Sequence, residues 1–261
     1  MRALVKGARF LQRVIVIGLL ICSLAAVVAS QQPKRSPSDT VREFYKAMRE
    51  KRFREAFDLS IYKPAIVPLK PQEFEDLRPD FERIALAVSE KIPGEVKITG
   101  EQISGDDATV FIKILDPEGK EILEPTTLIK LDGGWVVGDR DSLQLVKKAG
   151  KEFFFNARID AHHSDVQDML TRISLAELVY SQQHNGLFAD LATLITAGLV
   201  PKDLEGTEST GYRFHINSID GGKSWNAAAE PAQYGRTGKL SFYMDAAGVR
   251  SGDKSGKPLS P

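Results

Sequence analysis

The chain has 261 residues, 42% hydrophobic and 27% charged, with 35 Lys+Arg balancing 35 Asp+Glu. Its single cysteine, Cys22, excludes a disulfide framework, so the fold must rest on ordinary hydrophobic cores, which a chain of this length can build. Removing the four basic residues of the first thirty leaves 31 Lys+Arg against 35 Asp+Glu, a charge of about −4. That excludes nucleic acid as the main partner, because phosphate binding needs a clustered basic excess.

The chain opens with Arg2, Lys6, Arg9 and Arg13, followed by sixteen residues without a charge from Val14 to Ala29 and by Val28-Ala29-Ser30. This is the pattern of an export signal. Sixteen residues at about 1.5 Å each span about 24 Å against a hydrocarbon core of about 30 Å. Two outcomes remain open: cleavage between Ser30 and Gln31, or retention of Val14 to Ala29 as an anchor in the inner membrane. Both place residues 31–261 outside the cytoplasm, in the periplasm or the medium. Cys22 follows Ile21, whose bulk does not suit a lipoprotein site, and reads as one more apolar residue of the segment.

Residues 31–35 read as a linker and residues 36–142 as a first domain. Ser36-Pro37-Ser38-Asp39 is a helix start. Val41, Phe44, Tyr45 and Met48 recur at helical spacing, with Phe53, Ala56 and Phe57 after a break near Lys51. Pro64, Pro68 and Pro71 predict an extended stretch, and Phe74, Leu77, Phe81, Ile84 and Val88 a third helix that stops at Pro93-Gly94. The period then changes to two. Val96, Ile98, Ile103, Val110, Ile112, Ile114, Leu128, Ile129, Trp135 and Val137 mark short strands separated by tight turns, an antiparallel meander with helices over one face. The basic run Arg42, Lys46, Arg49, Lys51, Arg52 and Arg54 is interrupted by Glu43, Glu50 and Glu55 and reads first as a solvated helix face, with an anionic contact as the alternative.

These motifs, Ser36-Pro37 through Phe44-Tyr45, Ala56-Phe57, Ile103 through Val110 and Asp132-Gly133-Gly134-Trp135, resemble a small exported domain of the nuclear-transport-factor-2-like superfamily. The resemblance implies a cone-shaped α+β fold. It also implies a function among ligand binders, partner binders, and isomerases or dehydratases that place Asp, His or Tyr in the cone. Candidate pocket residues are Tyr45, Phe57, Tyr62, Phe74, Phe81 and Trp135, whose other reading is plain core packing. Residues 31–150 contain no His, and Asp58, Asp76 and Asp80 fall on expected helix surfaces and ends, so no catalytic base is assigned.

Residues 143–160 read as a second linker and 161–250 as a second domain. Ser164-Asp165-Val166-Gln167 is a capping-box pattern, and Val166, Met169, Leu170, Ile173, Ala176 and Tyr180 form the apolar stripe of a helix ending near Asn185-Gly186. Asp190 caps a shorter helix closed by Gly198 and Pro201. Tyr212, Phe214 and Ile216 alternate with polar residues as in a half-buried strand, and 251–261 reads as a flexible tail. Leu170, Ile173, Ala176-Glu177, Tyr180, Gly198-Leu199-Val200-Pro201, Gly211-Tyr212 and Phe242 through Arg250 resemble the globular heads of type IV pilins and secretion pseudopilins. Unlike those proteins, the apolar segment is not continuous with this helix, contains no acidic residue and lacks the glycine-phenylalanine cleavage motif. The resemblance implies a recognition head, with an accessory role beside pilus or secretion subunits as an alternative.

His162 and His163 with Asp165 and Asp168 are metal-ligand types, but adjacent helical histidines diverge by about 100°, so no metal site and no cofactor are assigned. No Ser-His-Asp arrangement, phosphate loop or HExxH pattern occurs. The expectation is an α+β, non-enzymatic envelope protein that binds a protein partner or a small hydrophobic ligand. An isomerase- or dehydratase-type enzyme using the cone pocket is the rival.

Overall fold

Pro37 opens the first helix at the position where a missing N–H costs nothing, and Asp39 lies on the positive end of its dipole. In the computed structural model, which describes residues 35–207 and 210–260, this helix is α1 (Pro37–Arg49). It breaks at Lys51, whose φ of 57° is left-handed, and α2 (Phe53–Asp58) turns back against it. The stretch expected to be extended contains a short helix, α3 (Lys63–Ile66). Pro64 sits in its first turn, where proline is tolerated, so the proline-rich stretch is helical there and not extended. Helix α4 (Pro71–Lys91) starts on another proline, and the Glu73 carboxylate accepts the Lys70 amide at 3.0 Å.

The period-two region forms β1 (Lys97–Ser104), β2 (Asp107–Leu115), β3 (Glu121–Leu131) and β4 (Gly134–Val137), an antiparallel meander in that order. Ala108, Val110, Ile112 and Ile114 alternate inward against Val41 and Ile92. The helical cover is not confined to that face. Ile129, on the opposite face of β3, packs on Ile61, in the turn before α3, and on Leu143, so both sides of the sheet are covered at the β3–β4 end. Gly138 permits this, because its φ is 125° and a Cβ there would lie 2.6 Å from Ile61 Cγ1.

The stretch 143–160, expected as a linker, is helical. Asp139 caps α5 (Arg140–Ala149) by accepting the Ser142 amide at 2.8 Å, and α6 spans Phe153–Gln183. The expected start at Ser164 is therefore eleven residues late: Ser164 sits mid-helix and donates its hydroxyl to the Asp160 carbonyl. Burial of Phe154 and Phe155 among the α2–α4 aromatics draws the helix out in the N-terminal direction. At 31 residues it is about 46 Å long. Its first turns join the first core, and Val166, Leu170 and Ile173 join the second.

That second core lies under β5 (Tyr212–Ile219), β6 (Ser224–Pro231), β7 (Leu240–Asp245) and β8 (Gly248–Asp253), again antiparallel in sequence order, with α7 (Leu191–Thr196) at one side. Tyr212, Phe214, Ile216, Ala227, Ala229, Phe242 and Met244 supply its inner face. The fold is mixed α+β with two antiparallel sheets, and Pro37–Pro261 is one compact unit through which α6 runs. Among the described residues no helix is long and apolar enough to cross a membrane; the expected export segment lies outside them.

Candidate functional site

The six expected pocket residues divide between two clusters. Tyr45 and Trp135 pack at the sheet of β1–β4, whereas Phe57, Phe74 and Phe81, with Tyr62 against them, lie in the helical core. Ring centroids there are 4.9 Å apart for Phe57–Phe81, 5.4 Å for Phe74–Phe81 and 5.5 Å for Tyr62–Phe154. Burial pushes both phenols up, and the Glu124 charge near Tyr45 and the Asp139 charge near Tyr62 act in the same direction. A proton-abstracting tyrosinate needs the opposite shift.

Of the six, Phe74 alone lines an open cleft of about 530 Å³ bounded by Lys51, Arg52, Phe53, Arg54, Glu55, Pro71, Phe74, Glu75 and Arg78. One wall is the corner between α1 and α2, where left-handed Lys51 redirects the chain; the other is the first two turns of α4. The Arg54 guanidinium carbon lies 4.0 Å from the Phe74 ring centroid and that of Arg78 lies 5.9 Å away. Arg78 is held by both Glu75 oxygens, at 2.6 and 2.8 Å, and this hydrogen bonding, with the charges of Arg78 and Arg54, holds the Glu75 carboxyl below its usual range. Pro79 has no N–H, so the Glu75 carbonyl in this wall lacks its i+4 donor.

Charge on the first wall is distributed unevenly. Arg52 donates to Glu43 at 2.9 Å, to Glu50 at 2.8 Å and to Glu55 as well, so three carboxylates converge on one guanidinium. Lys51 pairs with Glu82 at 3.2 Å. Among the described residues Lys46 and Arg54 form no ion pair, and the Arg49 guanidinium donates to a neutral acceptor, the Gly94 carbonyl. Of the six cations of the run, Arg42, Lys51 and Arg52 are ion-paired, Arg42 to Asp39 at 2.9 Å, and Lys46, Arg49 and Arg54 are not; the charges of Lys46 and Arg49 still act on the Glu50 carboxyl, so the run remains acid-interrupted in the fold.

The opposite side of α4 is tied to the first turns of α6 and to the β6–β7 loop. Arg158, with an 8% exposed side chain, donates Nε to Asp80 Oδ2 at 2.8 Å and Nη1 to Asp76 Oδ1 at 3.1 Å. Arg236, on the β6–β7 loop, lies 3.9 Å from the Phe155 ring centroid and reaches Glu73 at 3.3 Å and Glu152 at 3.2 Å. The two adjacent histidines fasten that loop rather than sharing a ligand. His162 Nδ1 is 2.8 Å from the Thr237 carbonyl oxygen, and His163 Nε2 accepts the amides of Lys239 at 3.2 Å and Leu240 at 3.3 Å. Among the described residues no group of three or more His, Cys, Asp or Glu is arranged to hold a metal. Sequence reasoning missed Arg158 and Arg236, because an isolated arginine carries no pattern; the one available signal was Arg158 at an apolar-spaced position four residues before His162 in a helix.

No protein-family model matches the chain, and no curated protein matches it. Among solved structures it is similar to a Campylobacter jejuni protein described as an NTF2-like transpeptidase, at 14% identity and a TM-score of 0.29, covering 41% of this chain and 100% of that one.

Proposed function

We propose that this protein is a non-catalytic binding protein of the bacterial cell envelope, with its ligand seated in the cleft between the α1–α2 corner and the start of α4. In this reading the first half is a nuclear-transport-factor-2-like scaffold and the second a pilin-like head fixed to it by α6. The observation that carries it is the Phe74 ring flanked by Arg54 and Arg78 at the edge of a cleft of about 530 Å³. Its volume lies in the range of ligand clefts, and six of its nine lining residues are charged, so a ligand there would be held by polar contacts around one aromatic ring. The export pattern at Arg2–Ser30 supports the compartment. The upward-shifted Tyr45 and Tyr62 phenols and the lack of histidine in residues 31–150 weigh against acid–base turnover.

The test is native mass spectrometry of the protein isolated from its own host, beside an Arg54→Gln, Arg78→Gln double variant. A bound mass on the parent that is lost from the variant is the expected result. A mass retained by the variant, or a parent with nothing bound, would sink the assignment of the cleft.

A further inference from the structure

The β6–β7 loop, residues 232–239, is fastened to α6 by two adjacent histidines whose ring nitrogens do opposite things. His162 Nδ1 lies 2.8 Å from the Thr237 carbonyl oxygen. A carbonyl can only accept, so this nitrogen carries a proton whether the ring is neutral or charged, and the bond survives acid. His163 Nε2 instead accepts two amides, from Lys239 at 3.2 Å and from Leu240 at 3.3 Å. It can do so only as the bare nitrogen of a neutral ring, because a proton on Nε2 would face two N–H groups. One fastening is acid-tolerant and its neighbour is acid-labile.

The loop moves as a body, since the Thr237 amide donates to the Gln233 carbonyl at 2.9 Å and the Gly235 amide to the Gly238 carbonyl at 2.8 Å. It carries Arg236, whose guanidinium lies 3.9 Å from the Phe155 ring centroid and reaches Glu73 on α4 and Glu152 beside α6. The Lys70 amide, with Lys151 and Arg236, holds the Glu73 carboxyl below its usual range, so it stays ionised where histidine titrates. Around His163, Asp160 on α6 favours protonation, while His162 on the same helix and Lys239 on the loop oppose it. From β5 the Tyr212 phenol, kept protonated by burial, adds no charge, and from β7 the Phe242 ring closes the site.

We infer that His163 is an acid-released latch on the tie between α4 and the second sheet. Protonation of Nε2 drops the Lys239 and Leu240 amides, the loop pivots on the bond from His162 to Thr237, and Arg236 withdraws from Phe155 and Glu73. Arg158 and Lys151 keep their hold on α4, so the tie loosens without either sheet unfolding. The latch works whether or not the cleft holds a ligand.

Nuclear magnetic resonance of the protein between pH 7.5 and 5.0 tests this. The His163 ring should titrate with a midpoint below 6.5, and the hydrogen-exchange protection of the Lys239 and Leu240 amides, corrected for the intrinsic effect of pH, should fall about tenfold with the same midpoint. The Phe155 ring signals should shift in step as Arg236 leaves. His163→Gln, which cannot titrate, should show no such step, and a step that persists in it would overturn the assignment. So would a His163 ring that stays neutral to pH 5.0, or one that titrates while both amides keep their protection. Amides that respond while Phe155 does not would overturn the link to Arg236. The parent's own titration decides even where the variant folds poorly.

Discussion

Arg158→Met tests whether the guanidinium buried between α4 and α6 holds the two helices together. The side chain of Arg158 is 8% exposed and Asp80 is 16% exposed, so the substitution strands a carboxylate that has little access to water. Removing one partner of a buried pair costs about 3–5 kcal/mol. Two features of this site reduce that figure: Arg83 also binds Asp80, and the Asp76 side chain is 43% exposed and can rehydrate. The expected loss is therefore about 3 kcal/mol, or about 6–12 °C in Tm for a unit of this size. Chemical denaturation followed by circular dichroism gives the number. Pairing Arg158→Met with Asp80→Asn should recover about half of it, because the stranded charge is then gone. A loss under about 1 kcal/mol, or no recovery in the double variant, would refute the view that this ion pair couples α4 to α6.

Three further outcomes follow from single sites. Gly138→Ala should destabilise by about 2 kcal/mol or more, since φ is 125° and the new Cβ would meet Ile61 at 2.6 Å; a melt unchanged within error would show that the β4–α5 corner yields easily. His163 has a pKa held below its usual value by burial, so the folded state releases its proton more readily than the unfolded chain does. Its contribution is complete above the unfolded value near 6.5 and is lost as pH falls toward the folded one. Melts between pH 7.5 and 5.5 should decline more steeply in the parent than in His163→Gln, and equal slopes would count against it. Glu177 is fully buried, with Oε2 accepting the Ala189 amide at 3.0 Å and Oε1 unpartnered, and burial raises its pKa. The folded state then holds the proton longer, so this group costs stability as pH rises above its unfolded value near 4.5. Glu177→Gln should raise Tm at pH 7 by an amount that shrinks toward pH 4, and a lower Tm at pH 7 would contradict the assignment.

Much of the architecture is legible because burial follows simple periods. The spacing of Val41 and Met48, the alternation of Val110, Ile112 and Ile114, and that of Tyr212, Phe214 and Ile216 each mark the face that packs. The start of α6 is not legible in the same way. Its first turns are held by Phe154 and Phe155 entering a core built from residues about seventy to one hundred positions earlier, and no local cap announces that. Ser164-Asp165-Val166-Gln167 carries the letters of a capping box, yet tertiary burial upstream overrides them. The cleft is partly legible, since Phe74 and the basic run both stand out in the sequence. What the sequence could not convey is that Glu43, Glu50 and Glu55 all turn to Arg52, because which carboxylate meets which guanidinium is decided by the left-handed turn at Lys51.

The same helix serves both parts of the structure from different sides. At about 100° per residue, Glu73, Asp76 and Asp80 fall within about 60° of one another around α4, while Pro71, Phe74, Glu75 and Arg78 cluster about 170° away. The first set binds Arg236, Lys151 and Arg158; the second walls the cleft. Under the proposed binding at the cleft, an occupant against Phe74 would press on a helix whose far side is clamped by three cations, two of them on or beside α6 and one on the β6–β7 loop that His162 and His163 also hold. Rotation of α4 about its own axis is thus opposed by ion pairs that would have to break together. That wall of the cleft is therefore held in place before any ligand could arrive. Weakening the clamp with Arg158→Met should accordingly loosen the cleft and reduce affinity there, although Arg158 itself does not line it.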